Sequence, residues 1–575
     1  MIAKKIKEIL VAALKNLEIE AGEIVLEHPA DLANGDYSTN IALVLAKQLK
    51  EKPRELAENI TREINGKSAN NKGEAFVLNE GLAFLGFVER IEVAGAGFIN
   101  FYLSPEFFAS QIAEIISKGD NFGKNQTLAG KKVMVEYTDP NPFKEFHIGH
   151  LMSNAIGEAI ARLYEASGAK VVRACWQGDV GLHVAKAIWG KLKKPNANWG
   201  EAYVFGTQNY NENKTEIDEL NKKIFVQSDS EINKIYNEGR QWSLSHFEEI
   251  YKKLDTKFDY NFFESKEGRE GEKIVAEFLK KGVFEKSEGA IVFRGEKYDL
   301  HTRVFITSQG LPTYETKELG LNKAKFEAEP DLAQSIIITA NEQDDYFRVV
   351  LKVMEQIYPL IAEKTKHISH GMLRFASGKM SSRMGNVITG ESLIGTMENL
   401  AAEKIKDREL SSAEKQKIMK TVGVGAIKYS ILKQDIGANI IYDFDKSISF
   451  EGDSGPYLQY TYARAKSVLA KAEEIKVQPL KTPKNFYKVE PLSPKILEKL
   501  LYRFPEVVAR AAVEYEPHFV ATYLIELASA FNNFYAHNQI IGSEEENYRL
   551  ALTHAVSIVL KNGLCILGIQ ASERM

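Results

Sequence analysis

Two histidines three residues apart form the first pattern in the sequence that could do chemistry, His147-Ile148-Gly149-His150. If a helix begins here, both imidazoles lie on one side, beside backbone N–H groups that have no intrahelical partner. A helix start of this kind binds phosphate, because its N–H groups and its dipole favour negative charge. Two alternatives stay open: two polar residues at an ordinary helix start, or a metal-binding pair, although no third ligand is spaced nearby.

A second candidate is the glycine-flanked stretch GKMSSRMGN at 378–386, more than 200 residues downstream. Its Lys379 and Arg383 could close over a polyphosphate and stabilise negative charge in the transition state. Taken alone, the stretch is typical of a solvated basic loop. The two patterns together, in this order and at this separation, favour nucleotide chemistry.

Residues 131–176 contain the elements that must position the two histidines. The run KKVMVEYTD predicts a strand, LMSNAIGEAIARLYEASG predicts a helix that ends at Gly168, and AKVVRACW predicts a second strand. Parallel strands joined by a crossover helix bind ligands at their carboxyl ends. We therefore expect the loop from Thr138 to His150 to line a site.

The rest of the chain divides by composition into further domains. Residues 1–125 predict a small α+β domain, with a strand bent at Gly95 and Gly97 and a helix that starts at Ser104. Residues 126–390 predict a parallel-sheet domain, split by a Lys- and Glu-rich insertion at about 190–290, after which GAIVFR, RVFITS and SIIITAN resume the sheet. Residues 391–450 predict a helical junction, and 451–575 a helical bundle.

Composition is that of an ordinary globular chain of 575 residues, with 44% hydrophobic and 26% charged residues. The net charge of −4 means that any nucleic acid must be held by local basic patches. Cys175 and Cys565 are the only cysteines, which excludes a disulfide framework and a Cys-rich zinc site. The longest apolar run near the end is interrupted by Lys561 and Asn562, so we expect no membrane span and a cytoplasmic location.

The paired signatures resemble the HIGH and KMSKS motifs of class I aminoacyl-tRNA synthetases. The surrounding sequence is similar to arginyl-tRNA synthetases over nearly the entire chain, in GDYSTN, AGAGFINFYL, VEYTDPNPFKEFHIGH, SFEGDSGPYLQYTYARAKS and RLALTHAVSIVLKNGLCILGIQASERM. The resemblance implies a multidomain α/β fold: a split Rossmann-like catalytic domain with an insertion, an N-terminal α+β domain for the tRNA elbow, and a C-terminal all-α anticodon-binding bundle.

The reaction implied by this resemblance is ATP-dependent activation of L-arginine to an adenylate, followed by transfer to tRNA(Arg), with release of diphosphate and AMP. It implies ATP with Mg²⁺, no protein-bound zinc, no hydrolytic editing domain and a monomer. One alternative is a class I enzyme for another amino acid, against which Glu136, Asn141 and Tyr314 argue together. Another is a catalytically silent tRNA-binding paralogue, against which the intact HIGH string argues.

Nucleotide contacts follow from the resemblance at the two signatures. The implied ATP-binding residues are His147, Gly149, His150, Gly371, Met372 and Lys379, the backbone of Gly371 and Met372 being similar to the adenine-binding stretch. One departure stands out, because the fourth KMSKS position is Ser382 and no longer a lysine. We expect Lys144, just before HIGH, to supply the missing charge. The implied catalytic groups are thus Lys144, His147, His150, Lys379 and Arg383.

An arginine pocket needs carboxylates and aromatic walls, because a guanidinium has five donors in a planar fork and keeps its proton. The resemblance assigns this pocket to Glu136, Asn141, Tyr314, Glu318 and Gln343. Glu318 stands where many relatives have Asp, and Tyr346 stands where relatives often have His; the sequence explains neither substitution.

The tRNA contacts implied by the resemblance lie at both ends of the chain. Phe98 would stack on a base of the tRNA elbow and Asn100 would bond to its edge; ordinary strand packing is the alternative. The anticodon-facing residues would be Tyr460, Arg464, Tyr535 and the terminal Met575, with a core role as the alternative for the two tyrosines.

Overall fold

A computed structural model describes residues 2–66, 87–375, 389–474 and 496–575. The chain forms two compact units. The first contains residues 1–119, 469–503 and 533–556, and the second contains residues 120–468, 504–532 and 557–575.

The first unit is built on a three-stranded antiparallel sheet in the order β1-β3-β2. Its strands are β1 (Tyr37–Thr39), β2 (Val88–Ala94) and β3 (Phe98–Leu103). The predicted single strand bent at Gly95 and Gly97 is wrong, because the chain reverses there and β2 pairs with β3 as a hairpin. Both glycines have positive φ, which a tight reversal requires.

Helices cover this sheet and bury a core that the amphipathic amino-terminal helix lines with Ile6, Leu10 and Leu14. The helix predicted after Ser104 begins as expected, since the Ser104 side chain accepts the Phe107 N–H. The α-helices in the described residues before 119 are α1 (Ile2–Asn16), α2 (Ile41–Leu49), α3 (Pro53–Gly66) and α4 (Pro105–Lys118).

The second unit centres on five parallel strands in the order β11-β10-β4-β5-β6. They are β4 (Lys132–Glu136), β5 (Lys170–Gln177), β6 (Tyr260–Phe263), β10 (Leu332–Ala340) and β11 (Thr365–His370). The chain runs outward from β4 in one direction, then returns to build β10 and β11 on its other side. The gap between the carboxyl ends of β4 and β10 is therefore the point where strand order reverses, which is where doubly wound sheets bind ligands.

Two strands expected in this sheet lie elsewhere. GAIVFR and RVFITS form β8 (Ala290–Phe293) and β9 (Arg303–Ile306). Strand β8 pairs antiparallel with both β9 and β7 (Glu285–Ser287), and the three form a separate sheet. Their prediction as parallel strands is wrong, because a short apolar run does not reveal its partner. A last pair, β12 (Leu373–Phe375) and β13 (Ile440–Tyr442), is parallel.

Four helices leave the carboxyl end of β5 before β6 begins, and we call their segment, 182–253, the helical insertion. They are α6 (Leu182–Lys193), α7 (Trp199–Gln208), α8 (Lys214–Val226) and α9 (Ser230–Lys253). The sequence placed its insertion at about 190–290, a range that also holds β6 of the parallel sheet.

The crossover helix α5 (Ile148–Ala166) follows β4, as the sequence predicts. Outside 376–388, the remaining α-helices up to residue 405 are α10 (Glu264–Lys280), α11 (Tyr314–Ala328), α12 (Asp344–Ile357), α13 (Pro359–Lys364) and α14 (Gly390–Ile405).

Beyond residue 405 the described chain is helical apart from β13. Its helices are α15 (Ser412–Leu432), α16 (Phe444–Ser447), α17 (Gly455–Glu474), α18 (Ile496–Leu501), α19 (Phe504–Glu514), α20 (His518–His537) and α21 (Glu546–Ile566). By length and composition α21 could span a membrane, but 78% of its most apolar window is buried within the protein. That burial is typical of a core helix.

Close packing of α5 against β4 generates the first prediction. A Cβ at Gly157 would lie 2.2 Å from the Tyr137 ring, which is fully buried. Gly157→Ala should therefore destabilise the second unit by about 3 kcal/mol, although alanine favours a helix. Urea unfolding followed by tryptophan fluorescence would measure this, since all four tryptophans lie at 176–242.

Gly395→Ala is the matched control, because nothing lies within 4 Å of the Cβ added to that glycine of α14. It should leave stability unchanged or raise it by up to about 1 kcal/mol. Equal effects of the two substitutions would contradict the packing argument.

Candidate active site

The loop after β4 has a strained backbone that hydrogen bonds hold in place. Thr138 and Asp139 have backbone φ angles of 81° and 47°, values that residues other than glycine rarely adopt. The Thr138 N–H donates to Ser153 Oγ at 3.0 Å, and Asn154 of the same helix donates to Thr138 Oγ1 at 3.0 Å. The Trp176 N–H donates to Asp139 Oδ1 at 2.7 Å. Helix α5 and strand β5 thus fix the turn that leads into the histidine pair.

The histidine pair lies at the start of α5 with its rings stacked. The ring centroids of His147 and His150 are 3.4 Å apart, and a Cβ at Gly149 would approach the His147 ring to 3.0 Å. The His147 N–H donates to His150 Nδ1 at 3.2 Å. A neutral His150 therefore carries its proton on Nε2 and can donate it to a ligand.

Lys144 makes the surroundings of both rings electropositive. Desolvation and then the Lys144 charge lower the pKa of His147. Burial, His147 and Lys144 lower the pKa of His150 well below its ordinary value. An anion bound beside these rings would offset the charge of Lys144, so the arrangement fits phosphate oxygens.

Glu136 ends β4 as a buried carboxylate and is paired with a buried lysine. Its Oε2 lies 2.6 Å from Lys325 Nζ on α11, and the side chains are 2% and 0% exposed. The contact has the distance of an ion pair but not the geometry of a hydrogen bond. Glu136 is thus paired to a neighbour, and this is compatible with a second cation on its other side.

Two further carboxyl groups share the field of Glu136. Burial, and then the charge of Glu136, raise the pKa of Glu318 to about 7 and that of Asp139 well above its ordinary value. Asn322 Nδ2 donates to Glu318 Oε1 at 2.9 Å. The positive charge of Lys325 acts against this rise and lowers the pKa of both groups. Three carboxyl groups and one ammonium form a cluster, here called the carboxylate cluster, that would release protons on binding a cation.

Tyr346, unexplained by the sequence, lies next to this cluster. Its hydroxyl donates to the Tyr314 carbonyl at 3.2 Å and to Glu318 Oε2 at 3.5 Å. Tyr346 therefore links the start of α12 to α11, at the position where this chain has Glu318 and many relatives have the shorter Asp.

The other residues assigned to arginine surround the same edge of the sheet. Tyr314, the first residue of α11, is 57% exposed. Lys317 Nζ lies 5.0 Å from the centre of its ring. Asn141 lies against Gly178, where a Cβ would come 2.3 Å from Asn141 Oδ1. Gln343 is exposed at the start of α12.

The backbone predicted to bind adenine is already bonded within the protein. The Gly371 N–H donates to the Ile436 carbonyl at 2.9 Å, and the Met372 N–H donates to Asn439 Oδ1 at 2.8 Å. The Met372 carbonyl accepts from the Ile440 N–H at 2.8 Å. A base could still use the second lone pair of that carbonyl, but neither N–H is available in this conformation. The loop residues Lys379, Ser382 and Arg383 lie outside the described residues.

The first unit holds the residues expected to contact the tRNA elbow. Phe98 is 43% exposed, as a stacking residue must be, whereas Asn100 is 3% exposed. Ser38 Oγ donates to Asn100 Oδ1 at 2.7 Å. In this conformation the side-chain oxygen of Asn100 is therefore bonded to the neighbouring strand of the sheet.

The residues expected to face the anticodon include a tyrosine ring that lies near two guanidinium groups. Arg464 and Arg408 lie 4.8 Å and 5.6 Å from the centre of the Tyr460 ring, and Arg464 is the main cause of a lowered Tyr460 pKa. Arg408 also donates to the carbonyl of the terminal Met575. Tyr535, in the first unit, is 42% exposed.

One group in the described part of the chain could offer three ligands to a metal ion. Ligand atoms of Asp435, Glu516 and His518 lie within 4.8 Å of one another. Both nitrogens of His518 already face carboxylates, at 3.2 Å from Asp435 and 2.9 Å from Glu516. Glu516 also accepts the Ile436 N–H at 3.3 Å, so the group holds in place the loop that bonds Gly371.

Sequence reasoning missed Asp139, Lys325 and Tyr203, which the structure brings to the site; the Tyr203 ring centre lies 5.3 Å from Lys144 Nζ. Asp139 lies in the loop from Thr138 to His150, here called the signature loop, and could have been found from the carboxyl end of β4. Lys325 and Tyr203 belong to a distant helix and to the helical insertion, and no local pattern marks them.

Comparisons with known proteins place the chain in one family. The chain matches the family description "tRNA synthetases class I (R), catalytic domain" at residues 111–444, "Arginyl tRNA synthetase N terminal domain" at 4–103 and "DALR anticodon binding domain" at 458–575. A relative from Ligilactobacillus salivarius, named arginine–tRNA ligase, is 31% identical over 563 residues, covering 96% of this chain and 95% of the relative. A second of the same name, from Streptococcus suis, is 31% identical and covers 99% of both chains.

The fold is also similar to a solved structure. Arginyl-tRNA synthetase from Thermus thermophilus aligns over 100% of both chains with a TM-score of 0.79 at 23% identity.

The raised pKa of Glu318 generates the second prediction. Its folded-state pKa of about 7 lies above the ordinary 4.5, so between these values the folded state binds more protons than the unfolded state. The free energy of unfolding should therefore fall as pH rises through this window. Because glutamine cannot ionise, the Tm of Glu318→Gln relative to the parent should rise by about 3 °C from pH 5 to pH 8.

Thermal unfolding without ligands would measure this difference. Glu327→Gln, an exposed carboxylate on the same helix, serves as the control and should show a difference that stays constant. A constant difference for Glu318→Gln as well would contradict the raised pKa.

Proposed function

Because this chain belongs to the class I arginyl-tRNA synthetases and is an arginine–tRNA ligase, we propose that it forms arginyl-adenylate between the carboxyl ends of β4 and β10. ATP, L-arginine and tRNA(Arg) are its substrates. The arginine carboxylate attacks the α-phosphorus of ATP and diphosphate leaves. A ribose hydroxyl of the terminal adenosine of the tRNA then attacks the carbonyl carbon of the adenylate, the arginyl group passes to that hydroxyl, and AMP leaves. No protein nucleophile is required, so catalysis is positioning and charge stabilisation.

The carboxylate cluster is the observation that carries the arginine proposal. Glu136, Asp139 and Glu318 share the buried cation Lys325, and burial, followed by the charge of Glu136, raises the pKa values of Asp139 and Glu318. The cluster therefore favours an additional positive charge. A guanidinium supplies that charge permanently and offers donors to more than one carboxylate. Asn141, Tyr314 and Gln343 complete the proposed pocket. An amino acid with a neutral side chain would leave the buried carboxyl groups of the cluster without a cationic partner, so we infer that no editing domain is needed.

The phosphate side of the proposal rests on Lys144, His147 and His150. The first N–H groups of α5 and the Nε2–H of His150 can donate to phosphate oxygens, and Gly149 leaves space for the nucleotide. We propose that Lys144 stabilises the charge that develops as diphosphate leaves, replacing the lysine absent at Ser382. Lys379 and Arg383 would act from the other side of the ATP, and Gly371 and Met372 would contact adenine.

Mg²⁺ would accompany the ATP and shield its phosphates. The groups that carry the phosphate proposal are ammonium and imidazole, whereas magnesium prefers carboxylate and other oxygen ligands. These residues therefore fit the phosphates and not the ion. We propose no protein-bound zinc.

For tRNA(Arg) we propose two contact regions. The anticodon loop would contact Tyr460, Arg464, Tyr535 and Met575, where ring and guanidinium planes suit unstacked bases. The elbow would stack on Phe98, and an Asn100 contact would require its amide to leave Ser38. We further propose a monomer in the cytoplasm, with the domain boundaries given by the sequence.

Substrate choice is tested by charging total tRNA with each of the twenty amino acids, ATP and Mg²⁺. Only arginine should be charged, and Glu136→Gln should raise the KM for arginine at least about tenfold by removing one carboxylate. Glu327→Gln, away from the cluster, should behave like the parent. If Glu136→Gln lowered only the Tm, its assignment to arginine would be wrong.

Lys144 is tested in arginine- and tRNA-dependent ATP–diphosphate exchange. Lys144→Ala should slow exchange at least about tenfold, because the leaving diphosphate loses a positive charge. Lys131→Ala removes an exposed lysine at the opposite end of β4 and should have no effect. An unchanged rate for Lys144→Ala would remove Lys144 from the mechanism.

A further inference from the structure

The helical insertion packs against the loop that carries Lys144. Phe143 is fully buried in the core of the insertion. Its ring lies 5.2 Å from Trp199 of α7, edge to face, and 5.9 Å from Tyr236 of α9, stacked. The insertion therefore holds the residue immediately before Lys144.

The backbone of Phe143 is held as firmly as its ring. Its φ of 70° is rare for an aromatic residue, and its N–H donates to Ser243 Oγ at 2.9 Å. Ser243 Oγ in turn donates to the Gly239 carbonyl at 2.8 Å. A Cβ at Gly239 would lie 2.4 Å from the Phe143 ring and 2.6 Å from Trp199. The strained conformation thus persists because helix α9 fits around it.

The next three residues of the loop also contact the insertion. Lys144 Nζ lies 5.3 Å from the centre of the Tyr203 ring on α7. Glu145 packs near Gly200 of the same helix, where a Cβ would approach its carboxylate to 3.2 Å. The Phe146 ring lies 6.3 Å from Phe247 of α9. Each residue from 143 to 146 has a neighbour in the insertion.

The insertion is itself attached to the end of the sheet through Asp179. This fully buried carboxylate accepts from the Tyr236 hydroxyl and Arg240 Nε, both at 2.9 Å. It also accepts from the N–H and the hydroxyl of Ser265, at 2.8 Å and 2.7 Å, where α10 begins after β6. Helix α9 therefore cannot shift without breaking a buried charge-assisted network.

We propose that the helical insertion supports the signature loop and that Tyr203 is a positioning residue for Lys144. The inference rests on the proposed role of Lys144 at the phosphates. A lysine side chain loses much rotamer freedom when it is fixed. A carboxylate partner could fix it, but would neutralise its charge and occupy its donors. The face of an aromatic ring attracts the ammonium while leaving its charge and its N–H groups available to phosphate.

A double-mutant cycle tests this relation in the full-length protein. The variants are Tyr203→Ala, Lys144→Ala and the two combined, assayed by arginine- and tRNA-dependent ATP–diphosphate exchange. Tyr203→Ala should lower the exchange rate about fivefold, within the range of cation–π energies, with unchanged tRNA affinity. In the Lys144→Ala background it should cost nothing further, because Tyr203 then has no ammonium to hold.

Two controls separate positioning from general damage. Tyr203→Phe keeps the ring face and should stay within twofold of the parent. Tyr210→Ala removes a comparable pair in the same region, where Lys186 lies 4.3 Å from the ring, and should leave exchange unchanged.

Each result decides a different claim. Additive losses from Tyr203→Ala and Lys144→Ala, or a parental rate for Tyr203→Ala, would overturn the positioning role of Tyr203. A parental rate for Lys144→Ala would overturn the role of Lys144 and, with it, this inference. Absence of exchange by the parent protein with arginine and tRNA would refute the proposed function itself.

Discussion

The ion pair of Glu136 and Lys325, buried at the end of β4, is the interaction on which the site depends. Two charges removed from water are stable only when their attraction for each other and their contacts with surrounding groups offset the loss of hydration. Lys325 pairs with Glu136, and its charge only partly offsets the effects of burial and of Glu136, which raise the pKa values of Glu318 and Asp139. A guanidinium would add a fixed positive charge beside these carboxyl groups. The electrostatics of the cluster therefore favour a cationic ligand.

Topology explains why the helical insertion and the signature loop meet. A chain leaving β5 starts from its carboxyl end, which is the same edge of the sheet where β4 releases the signature loop. Helices placed between β5 and β6 therefore begin beside the site. The loop has three residues with left-handed backbone, Thr138, Asp139 and Phe143, and each is held by a hydrogen bond from a neighbouring element. The surrounding helices and strands thus offset the strain of the loop.

Much of the fold could be read from the sequence where a pattern is local. Strands β4 and β5, helix α5 and the Ser104 helix start were predicted, because hydrophobic periodicity and capping act over a few residues. The errors concern pairing. The runs of β8 and β9 are apolar, but whether they join a parallel sheet depends on partners elsewhere in the chain. Likewise, Gly95 and Gly97 indicated that the chain changes direction, but not that it reverses fully to form a hairpin.

By itself, the sequence determined the family and its class of chemistry, because the two signatures and the flanking segments are contiguous strings that resemble arginyl-tRNA synthetases. That the loop from Thr138 to His150 carries this chemistry stays a prediction. Tertiary structure decided how those residues are charged and held. Lys325 reaches Glu136, Tyr203 reaches Lys144, and the bonds of Gly371 and Met372 go to residues near 436–440. A pKa depends on burial and on charges brought together by folding. The orientation of a lysine depends on the surface beneath it, and neither quantity is encoded in the spacing of residues along the chain.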